Sequence, residues 1–167
     1  MAYSRQEIEA QHSQYQGMIM RWEYFIRSYL GGKEYKDGKF LQQYKLELEN
    51  EFSDRIAYTP LDNHCRNIIH IYSSYLFRVP PTRELGILEN DATIPYFLED
   101  ADLEGRSFDS LMSEVQNYAS IYGHCWLLVD KPSTNVFTRA EELQQGIRPY
   151  LNIYTPENVY DWQYTIS

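Results

Sequence analysis

A chain of 167 residues with 43% apolar and 23% charged side chains has the balance of a folded domain and excludes a disordered polypeptide. Its net charge of −9, from 24 acidic against 15 basic side chains, excludes a broad, tight grip on nucleic acid, which needs the opposite sign to neutralise phosphates. A like-charged wall that surrounds DNA without holding it stays open.

No apolar run approaches the length of a membrane span. The start, MAYSRQEIEAQ, lacks the apolar middle of a signal peptide. Two Cys make no disulfide framework, so a reducing compartment is the simpler expectation. Sixteen Tyr suit subunit contacts as well as a core, because Tyr buries its ring while its hydroxyl stays wet.

In chain order, SRQE at Ser4–Glu7 fits a capping box. Tyr15, Met18, Ile19, Trp22, Phe25, Ile26, Tyr29 and Leu30 then recur at steps of three and four, which predicts one amphipathic helix stopped by Gly31-Gly32. KDGKF (Lys36–Phe40) reads as a turn, and Leu41 to about Ile56 as a second helix. Thr59 and Pro60 are expected as cap and first residue of a third helix, whose apolar face is Leu61, Cys65, Ile68, Ile69, Tyr72 and Leu76 and whose end is Pro80-Pro81. A loop interrupted by Pro95 leads to about Arg106. Ser107 caps a fourth helix with Leu111, Val115, Tyr118, Ala119 and Tyr122 on one face, closed by Gly123.

Strand signals follow: HCWLLVD, then RPYLNIYT and VYDWQYTI on either side of a PEN turn, with a short helix from Thr138 to Gly146 between the first two. Helices first and strands last predict an α+β fold: residues 1–123 mainly helical, 124–167 β-rich. Tyr150, Ile153 and Trp162 are expected to share a buried patch with Leu127 and Val129.

Three stretches invite a chemical reading. His124 and Cys125 are adjacent, but neighbours in a strand point to opposite faces, and a helix C-terminus disfavours a thiolate. Cys125 therefore reads as a core residue rather than a nucleophile. His64, Cys65 and His70 lack the three- or four-residue spacing of helical metal ligands. Asp100, Asp102, Glu104 and Gly105 match the first half of a calcium loop, yet its twelfth position is Leu111 instead of a bidentate Glu. A solvated acidic loop before a helix is the plainer reading. No catalytic, cofactor or metal site is expected.

Four pieces in order carry a resemblance: WEYFIRSYLGGKEYKDGKFLQQY, YTPLDNHCRNIIHIYSSYLFRVPP, DADLEGRSFDSLMSEVQNYASIYGHCWLLVDKP and RAEELQQGIRPYLNIYTPENVYDW. Together, over about Trp22 to Trp162, they resemble the N-terminal part of tailed-bacteriophage portal proteins. The resemblance implies the outer wing, helices plus a small β-subdomain, of a homo-oligomeric and usually dodecameric ring at one capsid vertex. Such a ring, the head-tail connector of the virion, passes double-stranded DNA during packaging and ejection without reading its sequence. It docks the terminase motor, the capsid protein and tail adaptor proteins, and no membrane. Portal proteins continue after the wing with tunnel-lining helices and a clip, so the β-rich part is expected to be incomplete at its C-terminal end. Rival expectations are another phage or host interaction module, adaptor-like, and a Cys-dependent hydrolase using Cys125 and His124.

Subunits of a closed ring meet head to tail through two complementary patches. Trp22 and Tyr29, flanked by Arg21 and Arg27, are the expected first patch, because Trp, Tyr and Arg dominate interface energetics. Asp100, Asp102 and Glu104 of the next subunit are the expected answer to those arginines. The competing expectation is that the Trp22 stripe packs within its own chain.

Overall fold

A computed structural model describes residues 4, 9–133 and 138–163. The chain divides into two compact units: Met1–Ile71 with Pro156–Ser167, and Tyr72–Thr155. This division follows packing and not secondary structure, since the strands share a unit with helices that precede them. The fold class is α+β, with seven α-helices and one two-stranded antiparallel sheet among the described residues.

In the first unit, α1 (Ser13–Leu30) begins where His12 Nδ1 accepts the Gln14 N–H, 3.2 Å. Arg5–Ile8, most of the predicted SRQE capping box, lie outside the described residues. Gly31 ends α1 at φ 69°, a conformation open to glycine, with the Asn63 side chain packed where a Cβ would sit. The chain does not stay stopped: α2 (Gly32–Asp37) follows directly.

The helix expected from Leu41 forms only as α3 (Glu49–Tyr58). Residues 44–48 alternate between apolar and polar, and a turn joins Glu47 N–H to the Tyr44 carbonyl, 3.0 Å. Glu51 reaches back to accept the Leu48 N–H, 3.0 Å, and fixes the start of α3. Thr59-Pro60 closes α3 instead of opening α4 (His64–Leu76), because proline drives the residue before it into the extended region, here φ −68°, ψ 119°. Asn63 takes over as cap: its Oδ1 accepts the Arg66 N–H, 3.0 Å.

Pro156–Asn158 forms a 3-10 turn, and the segment after it lies along α1. His12 N–H donates to the Tyr160 carbonyl, 2.9 Å, Tyr15 OH donates to the Glu157 carbonyl, 3.0 Å, and Trp162 stacks on His12 at 4.3 Å. Residues 159–163 are therefore not the third strand expected from VYDWQYTI, whose last residues lie outside the described ones. Backbone and rings that would have paired in a sheet are engaged by α1.

In the second unit, Pro95 opens a helix where a loop was expected. It sits in the first turn of α5 (Ile94–Glu99), where a missing N–H costs nothing. Ser107 caps α6 (Phe108–Tyr122), and Gly123 closes it at φ 87°. β1 (Trp126–Asp130) pairs with β2 (Tyr150–Tyr154), register Leu128 to Asn152, and α7 (Arg139–Gln144) lies between them in sequence with Thr138 as its cap. Ala101, Leu111 and Leu151 form the buried centre, ringed by Phe97, Phe108, Met112, Val115 and Ile153.

Candidate interaction surface

Helix α4 presents its side chains in an unusual sense. Several of its inward residues are polar. In the first unit, the Asn63 amide and the Arg66 guanidinium donate to the carbonyls of Tyr29 and Leu30, the latter at 2.8 Å. In the second unit, Ser73 is buried and its hydroxyl lies 3.3 Å from that of Ser113. The outward residues are apolar: Ile68 and Ile71 in the first unit, Tyr72, Tyr75, Leu76 and then Val79 in the second. All are exposed, Tyr75 at 72%. Cys65 is exposed as well.

A soluble helix normally turns its apolar stripe to the core. Of the six residues expected on that face, only Ile69 is half-buried while the other five are exposed. The spacing fixes that these residues share a side, and the structure turns that side to water. The signal that could have found it is the polar set Asn63, Arg66 and Ser73, at steps of three and seven along the opposite face. From Asn63 to Arg83 the sequence also lacks any acidic residue and carries Arg66, Arg78 and Arg83, a local exception to the negative chain.

The expected interface residues are placed otherwise. Trp22 is 2% exposed, with Tyr15 edge-on to it at 5.7 Å, so it cannot anchor a partner and serves the core of the first unit. Arg27 is taken by Glu23 Oε1 and the Glu34 carbonyl, both 3.0 Å. Tyr29 OH lies 2.8 Å from His70 Nε2, and Arg66 covers its ring. Arg21 is exposed.

The acidic loop is likewise spent inside its own unit. Asp102 Oδ1 accepts the N–H groups of Glu104 and Arg106, and Oδ2 accepts from the Arg106 guanidinium at 2.7 Å. Arg148 holds Asp100 at 2.6 Å, and Asp100 Oδ1 accepts the Gly105 N–H. Glu104 is exposed. The Asp100 and Asp102 carboxylates that sequence spacing offered to calcium are thus ordered by arginines and backbone N–H groups. Among the described residues, no group of three or more His, Cys, Asp or Glu side chains is placed to hold a metal ion. No family model matches the chain, and no curated protein matches it.

Cys125 is half-buried just before β1, its Sγ 3.7 Å from the Val115 carbonyl, and burial pushes its thiol up, away from the thiolate a nucleophile needs. His124 is exposed.

A groove of about 400 Å³ opens beside the sheet, lined by Ile94, Phe97, Phe108, Met112, Leu127 and Val129 among others. The odd-numbered strand residues share this face, and they are unevenly covered. Leu151 on β2 is 6% exposed whereas its partner Val129 on β1 is 66% exposed. The core of the second unit is closed under β2 and open under β1. The patch expected from Tyr150, Ile153, Leu127, Val129 and Trp162 is therefore split: Leu127 and Val129 are exposed, and Trp162 packs on α1 in the first unit. No helix of the described residues is long and apolar enough to cross a membrane.

Proposed function

We propose that this chain is the N-terminal wing part of a tailed-bacteriophage portal protein, a structural subunit of the ring through which DNA enters and leaves the capsid. The observation that carries an assembly role is the outward apolar face of α4. Ile68, Ile71, Tyr72, Tyr75, Leu76 and Val79 all meet water in the isolated chain, and exposed apolar residues grouped in this way mark protein interaction surfaces. The specific assignment rests on the order of the sequence pieces, which run from the Trp-bearing helix and its Gly-Gly stop to the TPENVYDW segment.

Several features favour structural work over catalysis. The Cys125 thiol is raised by burial, and the acidic loop is neutralised by Arg106 and Arg148. The negative net charge suits a ring that lets duplex DNA slide, because a wall that repels phosphates does not trap them. In this reading the protein belongs to the virion, and its partners are its own copies, capsid protein, terminase and tail adaptors.

Electron microscopy and native mass measurement of the full chain test it. Closed rings of identical subunits are expected, most often of twelve, and Tyr75→Asp with Leu76→Asp should return them to monomers with an unchanged melting temperature. Absence of closed rings from the wild-type chain sinks the reading.

A further inference from the structure

One apolar side chain stands out because so much polar structure holds it in water. Leu46 is 92% exposed at the tip of the Tyr44–Glu47 turn. The turn is locked from below: Glu47 Oε1 and Oε2 accept from Arg55 at 2.7 and 2.8 Å, Glu47 Oε2 also accepts the Tyr44 N–H, and Arg55 donates to the Gln42 carbonyl. The same guanidinium sits over the Tyr44 ring at 4.5 Å. Leu48, also exposed, follows at once. A fixed apolar knob loses little freedom on binding, which is how preorganised contacts gain affinity.

The groove beside β1 is the matching hole. It is lined mostly by aliphatic and aromatic side chains, with Thr93 and Arg148 among them, and its open side is the β1 side. Charge agrees. Lys45, exposed at the knob, would meet Asp130, which follows Val129, is exposed, and forms no ion pair among the described residues.

We infer that the Leu46 turn of one copy inserts into the β1 groove of a second copy, head to tail. A knob and a hole at different places on the same molecule propagate from copy to copy, and the chain of contacts closes into a ring or runs on as a filament. The contact deepens the ring reading above and rests on it for closure.

Native mass measurement of the full 167-residue chain tests the pair with Leu46→Asp and Val129→Asp, both at exposed positions. Each variant alone should be monomeric with an unchanged melting temperature. Mixed one to one they should give a two-chain species, because the intact groove of the first accepts the intact turn of the second. A charge swap gives a second arm that leaves the apolar surfaces alone: Lys45→Glu should weaken assembly, and adding Asp130→Lys in the same chain should restore it. Assembly of the single Asp variants at wild-type level, a mixture that stays monomeric, a swap that does not rescue, or a wild-type chain monomeric at every concentration overturns the contact. Rings that persist in Leu46→Asp overturn it while leaving the ring reading intact. Open filaments built through this pair, with no closed ring, do the reverse.

Discussion

Burial alone would push the Asp102 carboxyl up, yet the Arg106 guanidinium and the backbone N–H groups of Glu104 and Arg106 hold it at about 2. Asp91 is held at about 2 as well, by the Thr93 N–H and hydroxyl and then by Arg139. A carboxylate with a folded pKa below its ordinary 3.8 stabilises the fold above that value, and the contribution is lost as pH falls from about 4 to about 2. Asp102→Ala should therefore lower stability at pH 7 by about 2 kcal/mol, through lost charge-assisted hydrogen bonds. In urea titrations the gap from wild type should narrow steadily below pH 4. A gap that stays constant down to pH 2 would show that the ionised carboxylate does not matter. The calcium-like spacing has the same cause: Asp102, Glu104 and Gly105 build a tight turn, with Leu103 at φ 64° and Gly105 at φ 91°, and its bonds engage the Asp100 and Asp102 carboxylates.

At the scale of elements, α6 was legible because spacing, the Ser107 cap and the Gly123 stop all point to one helix, whereas α1 was legible from its spacing and Gly31 alone, its start being capped by His12. Where signals conflict, the reading slipped. Leu41, Tyr44 and Leu48 keep helical steps of three and four whereas Tyr44, Leu46 and Leu48 alternate, and Thr59-Pro60 serves equally as the end of one helix or the start of another until Asn63 is seen capping α4. The stripe of α1 was open between core and interface, and Trp22 resolves toward the core. Trp22→Ala should cost about 3–5 kcal/mol, as for other large buried aromatics, measured as a lower unfolding midpoint that does not vary with protein concentration. A midpoint equal to wild type would return Trp22 to the surface. Periodicity cannot say which face of α4 is inward, because spacing fixes only that the apolar residues share a side. The candidate surface was therefore only half readable: Ile68, Tyr72 and Leu76 stand out as one apolar face, but not as a face turned to water.

For the whole molecule, the α+β class follows from element order, whereas the two units do not, because the contacts that join Tyr160 and Trp162 to α1 span most of the chain. Ending the chain at Thr155 removes those contacts and the Pro156 turn. By hydrogen exchange, amides of α1 should then lose protection while those of β1 and β2 keep it. Unchanged protection in α1 would show that the returning segment is dispensable. The first unit is also discontinuous along the polypeptide, with its opening 71 residues separated from Pro156 by all of the second. During translation, the aromatic stripe of α1 emerges early but meets its covering segment only after the second unit has been made. At about 5–20 residues per second, the roughly 140 residues from Trp22 to Tyr160 take about 7 to 28 seconds. Until the segment from Pro156 to Trp162 arrives, Tyr15 lacks both the Glu157 carbonyl and the Tyr160 ring that engage it in the folded unit.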